Sequence, residues 1–219
     1  MKRTWHGYWI NGSNGTCNYN APVGPAPYLR KTFACVTAPK KAVVYLCGLG
    51  WHELYVNGQK VDDRVLAPVV TQYDRRASYI DYDVTALLRP GKNALVVLLG
   101  NGWYNCHTHE VWCFDKAPWR DFPKLLCDVE IDGRVAVSSN ASWKTTASPV
   151  TFDGLRNGEF YDAAKEIPGF ADPDFDDSAW RAARQCNPPG GLIGREDLEP
   201  CKVMRRIDAA GSTTLADGA

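Results

Sequence analysis

With 219 residues, 45% of them apolar and 23% charged, the chain can bury about 70% of its unfolded surface and needs neither metals nor disulfides to hold a core. Lys plus Arg equals Asp plus Glu at 25 each, so the balance carries no footprint of nucleic-acid binding or of attraction to an anionic membrane. No apolar run approaches the ~18 residues that a membrane-spanning helix needs. MKRTWHGYWI at the start has two basic residues but no apolar stretch after them; it does not read as a secretory signal, and a cytoplasmic location is expected.

In chain order, short apolar runs rich in Val, Ile, Tyr and Phe predict strands: YLRKTFACV (28–36), AVVYLC (42–47), HELYV (52–56), SYIDYDV (78–84), ALVVLL (94–99) and KLLCDVEI (124–131). Asn57-Gly58 and Asp132-Gly133 each separate two such runs, and both dipeptides accept the positive φ angles of a two-residue hairpin turn. VTALLR (84–89) is the one segment that predicts a helical turn, closed by Pro90-Gly91. No sustained 3.6-residue period runs through the chain, so a parallel βαβ architecture is not expected. The fold class predicted is all-β, an antiparallel β-sandwich or jelly roll.

Eight cysteines (Cys17, Cys35, Cys47, Cys106, Cys113, Cys127, Cys186 and Cys201) form no CxxC pair. Cys35, Cys47 and Cys127 lie in apolar strand-like runs, where a thiol behaves as a small hydrophobe, and mostly reduced thiols are expected. NPPGGLIGRED (187–197) reads as a linker. We therefore expect a sandwich over residues 1–187, and over 188–219 a linker with the first strand of a following, truncated domain.

The order of several motifs resembles the N-terminal accessory domain of bacterial α-L-rhamnosidases. They are PAPYLRKTF (25–33), AVVYLCGLGWHELYVNGQKVDD (42–63), YDVTALLRPGKNALVVLLGNGWY (82–104), SPVTFDGLRNGEFYDA (148–163) and FDDSAW (175–180). The resemblance covers about residues 5 to 185. FDDSAW and the VNG hairpin are shared more widely, with galactose-binding-like jelly rolls found beside glycosidases. What it implies is a non-catalytic sandwich accompanying an inverting glycosidase, whose paired carboxylic acids sit in a downstream (α/α)-barrel. An inverting glycosidase needs two carboxyls about 6.5–9.5 Å apart. The acidic groups here (Asp62-Asp63, Asp172/Asp174/Asp176/Asp177, Glu196-Asp197) all lie in turn-like or linker sequence, and no hydrolysis by this stretch alone is expected. The partners implied are the downstream domains of the same polypeptide and L-rhamnose or a rhamnosylated glycan; a free-standing lectin-like module is the alternative.

LLGNGWYNCHTHEVWC (98–113) concentrates the candidate chemistry. As a metal site it would use Cys106, His107, His109 and Cys113, but four ligands crowded into one loop depart from the paired spacing of structural zinc. As a sugar site it would use Trp103, Tyr104 and Trp112 as flat apolar faces, with Asn101 and Glu53 as hydrogen-bonding groups. GLGWHELY places His52 and Glu53 after a similar pair of glycines, so the two loops are expected to share one rim. Some accessory domains of the family bind rhamnose with calcium at such a rim; Glu53 and Asn101 supply fewer oxygens than calcium prefers. The alternative for GNGWY is structural, with glycines closing a turn and the aromatics plugging the core. Trp51, Trp103, Trp112 and Trp119 fall in loop-like sequence, while Trp5, Trp9, Trp143 and Trp180 read as core or strand ends. In KAPWRDFP (116–123), Trp119 and Arg120 are candidate docking anchors. Within NGEFYDA (157–163), Glu159 and Asp162 are placed near the domain junction by the resemblance.

Overall fold

The computed structural model describes residues 3–13, 23–107, 112–211 and 213. Its strands are β1 (Ile10–Asn11), β2 (Pro27–Cys35), β3 (Ala42–Leu49), β4 (Trp51–Val56), β5 (Gln59–Lys60), β6 (Arg76–Asp83), β7 (Gly91–Gly100) and β8 (Lys124–Ile131). There follow β9 (Arg134–Ser138), β10 (Lys144–Ala147), β11 (Val150–Gly154), β12 (Gly158–Tyr161), β13 (Arg181–Ala182), β14 (Arg184–Gln185) and β15 (Leu192–Arg195). A seven-stranded sheet runs β14-β1-β8-β3-β6-β15, with β9 also on β8, and a six-stranded sheet runs β13-β10-β2-β7-β4-β5. The two pack as the expected β-sandwich, and β11-β12 forms a separate ribbon.

Alternation in the strands decides what lies between the sheets. In β4, His52, Leu54 and Val56 are buried while Trp51, Glu53 and Tyr55 are only partly so. Val44 and Leu46 of β3, Leu95, Val97 and Leu99 of β7, Leu125, Cys127 and Val129 of β8, and Trp143 fill one shared core. The outer faces are covered as well, which is why β7 is buried on both sides. On the six-stranded sheet, Tyr28, Val96 and Leu98 lie under Phe170, Phe175 and Trp180. Arg30, fully buried, anchors that covering segment by donating from Nη2 to the Asp172 carbonyl at 2.7 Å. On the seven-stranded sheet, Cys47, Leu49 and Leu126 lie under Trp5, Trp9, Tyr79 and Tyr104.

Both predicted hairpin turns form, with positive φ at Asn57 (50°), Gly58 (86°), Asp132 (49°) and Gly133 (78°). The predicted helical turn is a single 3-10 turn at Thr85–Leu87. All seven cysteines among the described residues are free thiols; Cys17 lies outside them.

The segment expected as linker behaves differently. Leu192–Arg195 joins the seven-stranded sheet as a parallel partner of β6. Arg195 donates from Nε and Nη2 to Asp81, and buried Glu196 accepts from the Val69 N–H at 2.8 Å, so specific side chains hold this strand to the sheet edge. The strand-like run after it makes only an isolated bridge, Arg64 to Lys202, and leaves Val203, Met204 and Ile207 exposed. Beyond Lys202 the run has no strand partner among the described residues, and a strand forms only where it can pair.

Candidate functional site

Two glycine-rich turns meet backbone to backbone at one end of the sandwich. A Cβ on Gly50 would stand 2.1 Å from the Asn101 carbonyl oxygen, and one on Gly102 would stand 3.1 Å from the Trp51 ring. GLGW and GNGW are therefore glycine-rich because each turn presses on the other. The expectation that these loops are neighbours holds.

What they present is different from what their residue types suggested. Asn101 is 4% exposed, and its side chain is used inside the protein. Its Nδ2 donates to Asp153 Oδ2 at 2.8 Å, and its Oδ1 accepts from Asn105 Nδ2 at 2.7 Å. Burial raises the Asp153 carboxyl above the ordinary carboxylate range, and hydrogen bonds from Asn101 and from the Gly102 N–H partly offset that rise. Tyr104 is 1% exposed and meets the Tyr73 ring edge-on at 5.2 Å. Glu53 lies on β4 of the six-stranded sheet, accepting from the Tyr55 hydroxyl at 2.6 Å and paired with Lys60. Beside it, His52 shares a 2.8 Å hydrogen bond with the Tyr82 hydroxyl, and desolvation lowers its pKa to about 3, so it is a neutral core histidine.

Trp103 and Trp112 do come together. Their centroids are 5.8 Å apart with the planes tilted by 40°, and Phe114 meets both edge-on, at 5.1 and 6.1 Å. Trp112 is 60% exposed, and the Arg156 guanidinium stands over its ring at 5.3 Å from the centroid. Trp119 closes the cluster on its inner side, against Phe114 and Tyr73. Arg120 turns inward as well, donating to Asn105 Oδ1 at 3.2 Å and to the Asp115 carbonyl at 3.3 Å. Arg156 was absent from the sequence reading; its only signal was its place in the NGE-containing hairpin motif. Of that motif's carboxylates, Asp162 caps the 3-10 turn Ala163–Lys165 by accepting from the Ala164 N–H, and Glu159 lies exposed on β12.

Among the described residues the donor sets for metals do not assemble. Glu53 and Asn101 are each bound to other protein groups on different elements, so they do not fit a calcium cage. Among the described residues no group of three or more His, Cys, Asp and Glu side chains is arranged to hold a metal. Cys106 is buried, the His107 ring packs edge-on against Phe152 at 5.1 Å, and Cys113 is exposed; His109 lies outside the described residues. A half-open cleft of about 390 Å³ opens beside Asn101, walled by Pro25, Pro27, Phe122, Thr146 and Arg181, and its described lining carries no carboxylate.

The fold is a two-sheet jelly-roll-type sandwich that carries an aromatic cluster of Trp103, Trp112 and Phe114. The model for the α-L-rhamnosidase N-terminal domain matches residues 37–205, and the chain belongs to that family. It is 38% identical over 184 residues to an α-L-rhamnosidase of Streptomyces avermitilis, covering 81% of this chain and 18% of that protein. It superposes on the α-L-rhamnosidase structure from Dictyoglumus thermophilum with a TM-score of 0.80 at 39% identity, covering 92% of this chain and 23% of the other. A Pleurotus ostreatus lectin, at 21% identity and a TM-score of 0.51 over 86% of this chain and 45% of its own, shares the fold alone. The chain thus spans about a fifth of the length of the rhamnosidases it matches.

Proposed function

We propose that this chain is the N-terminal, non-catalytic sandwich of an α-L-rhamnosidase-like glycoside hydrolase, that it supports the catalytic part of that enzyme, and that its Trp103–Trp112 rim binds L-rhamnose-containing glycans. The observation that carries the proposal is the family match over residues 37–205 combined with a tryptophan left 60% exposed at the rim. A large exposed ring beside a guanidinium is the arrangement on which sugar C–H faces stack while hydroxyls find a donor. Support of a neighbouring part agrees with the exposed apolar residues Leu198, Val203, Met204 and Ile207, which gather in one terminal segment. Burial raises the Asp153 carboxyl, which is held in hydrogen bonds from Asn101 away from the surface.

A tryptophan-fluorescence titration with L-rhamnose tests the binding arm. A saturable change is expected in the natural sequence, lost in Trp112→Ala and unaffected by a chelator. No change up to tens of millimolar, about the weak end of useful sugar affinity, sinks the binding arm and leaves the supporting role.

A further inference from the structure

We propose that the rim continues onto the β11-β12 ribbon, where Phe160, Phe152 and His107 form a second saccharide subsite, so that the surface takes a rhamnosyl disaccharide and not a lone sugar. This rests on reading the Trp103–Trp112 rim as a glycan site.

The ribbon pairs with neither sheet. Phe152 and Phe160 face each other in register across it, with ring centroids 5.1 Å apart and planes 31° from parallel. Phe160 is 61% exposed, as open as Trp112 on the rim. An apolar ring has little reason to stand on the outside of a two-stranded ribbon, which is marginal by itself in water, unless something covers it.

The hairpin tip joins the two aromatic faces. Gly154 is where the polar groups converge: a Cβ there would meet His107 Nε2 and Phe152 Cζ at 3.3 Å and Asn157 Oδ1 at 3.4 Å. His107 Nε2 is buried and has no hydrogen-bond partner among the described residues. Two residues further on, Arg156 covers Trp112. One turn of chain therefore links the two aromatic faces, and the Asn157 carboxamide is exposed on it. Flat rings separated by polar groups match the alternating C–H and hydroxyl surfaces of linked sugar rings. A protein partner would be met by a more continuous apolar core.

Isothermal titration of the chain with L-rhamnose and with α-L-rhamnosyl-(1→6)-D-glucose separates the possibilities. The disaccharide is expected to bind about tenfold tighter, as one added aromatic stacking contact allows. Phe160→Ala should bring the disaccharide down to the affinity of L-rhamnose without altering L-rhamnose itself, and Phe160→Tyr should keep the advantage, which separates loss of the ring from loss of the fold. Equal affinity for the two sugars, or an advantage that survives Phe160→Ala, overturns the second subsite while leaving the rim. Failure of both sugars to bind overturns the rim and the subsite together.

Discussion

Asp153 holds Asn101 through three hydrogen bonds: Oδ1 accepts from the Asn101 backbone N–H at 2.7 Å, and Oδ2 and the main-chain oxygen accept from Nδ2 at 2.8 and 3.1 Å. The pair ties the loop after β7 to the ribbon, which joins neither sheet. Because both residues are buried, each satisfies a group that would otherwise be desolvated without a partner. Asn101→Ala should therefore destabilise the fold by about 1–3 kcal/mol, visible in calorimetry as a Tm lower by roughly 2–10 °C for a chain of this size. A melting temperature unchanged within a degree would mean that the ribbon is held by other contacts.

Trp112→Ala should behave in the opposite way. With the ring 60% exposed, its removal is expected to change stability by no more than about 0.5 kcal/mol, while abolishing the fluorescence response to L-rhamnose. Urea unfolding run beside the sugar titration checks both halves. A large loss of stability would make the ring a structural plug.

The buried His52 sets a pH dependence. Its folded pKa of about 3 lies below the ordinary 6.5, so the unfolded chain takes up the proton more readily than the native one. Its contribution is fully present above pH 6.5 and is lost as the pH falls towards 3, by an amount on the order of a few kcal/mol. His52→Gln keeps a hydrogen-bonding group for Tyr82 and cannot titrate. Urea midpoints measured at pH 7 and pH 4.5 should fall further for the natural chain than for this variant. Equal falls would place the acid sensitivity elsewhere.

Two glycine substitutions separate steric crowding from backbone strain. Gly50→Ala sets a methyl 2.1 Å from the Asn101 carbonyl oxygen and should cost about 3 kcal/mol or more, since backbone must move. Gly91→Ala meets nothing within 4 Å and suffers only from its φ of +85°, for about 1 kcal/mol. Chemical denaturation that ranked them in reverse would show that the two turns do not depend on their close approach.

Hydrogen exchange tests the terminal strand. Glu196 is buried against the Val69 N–H and 3.5 Å from the Arg64 guanidinium, so Glu196→Ala should speed amide exchange across Leu192–Arg195 and leave β3 and β8 protected. Unchanged exchange there would mean that the Arg195–Asp81 pair suffices.

Much of the sandwich was legible because its information is local. Strands such as KLLCDVEI carry their own propensity and apolar content, and Asn57-Gly58 and Asp132-Gly133 carry the φ angles of their turns. The aromatic rim was legible in part for the same reason: Trp103 and Trp112 are rare, large residues in a glycine-flanked loop, whichever way the loop folds.

What local pattern cannot carry is which of several polar residues finds a partner far along the chain. Asn101 and Asp153 are 52 positions apart, so the carboxamide that looked available for a ligand is taken up inside the protein. Glu53 and Asn101 share the look of a rim, but alternation in β4 turns Glu53 to a sheet face with Tyr55 and Lys60. The strand at Leu192–Arg195 escaped notice in a proline- and glycine-rich stretch because its cause is the open edge of β6, more than 100 residues earlier, with Asp81 there to receive Arg195. Propensity and alternation act between neighbours, so a β-sandwich of a recognisable kind could be read directly from the order of residues. The tertiary structure alone decided which polar and aromatic side chains face water, since that depends on contacts between residues the chain order keeps apart.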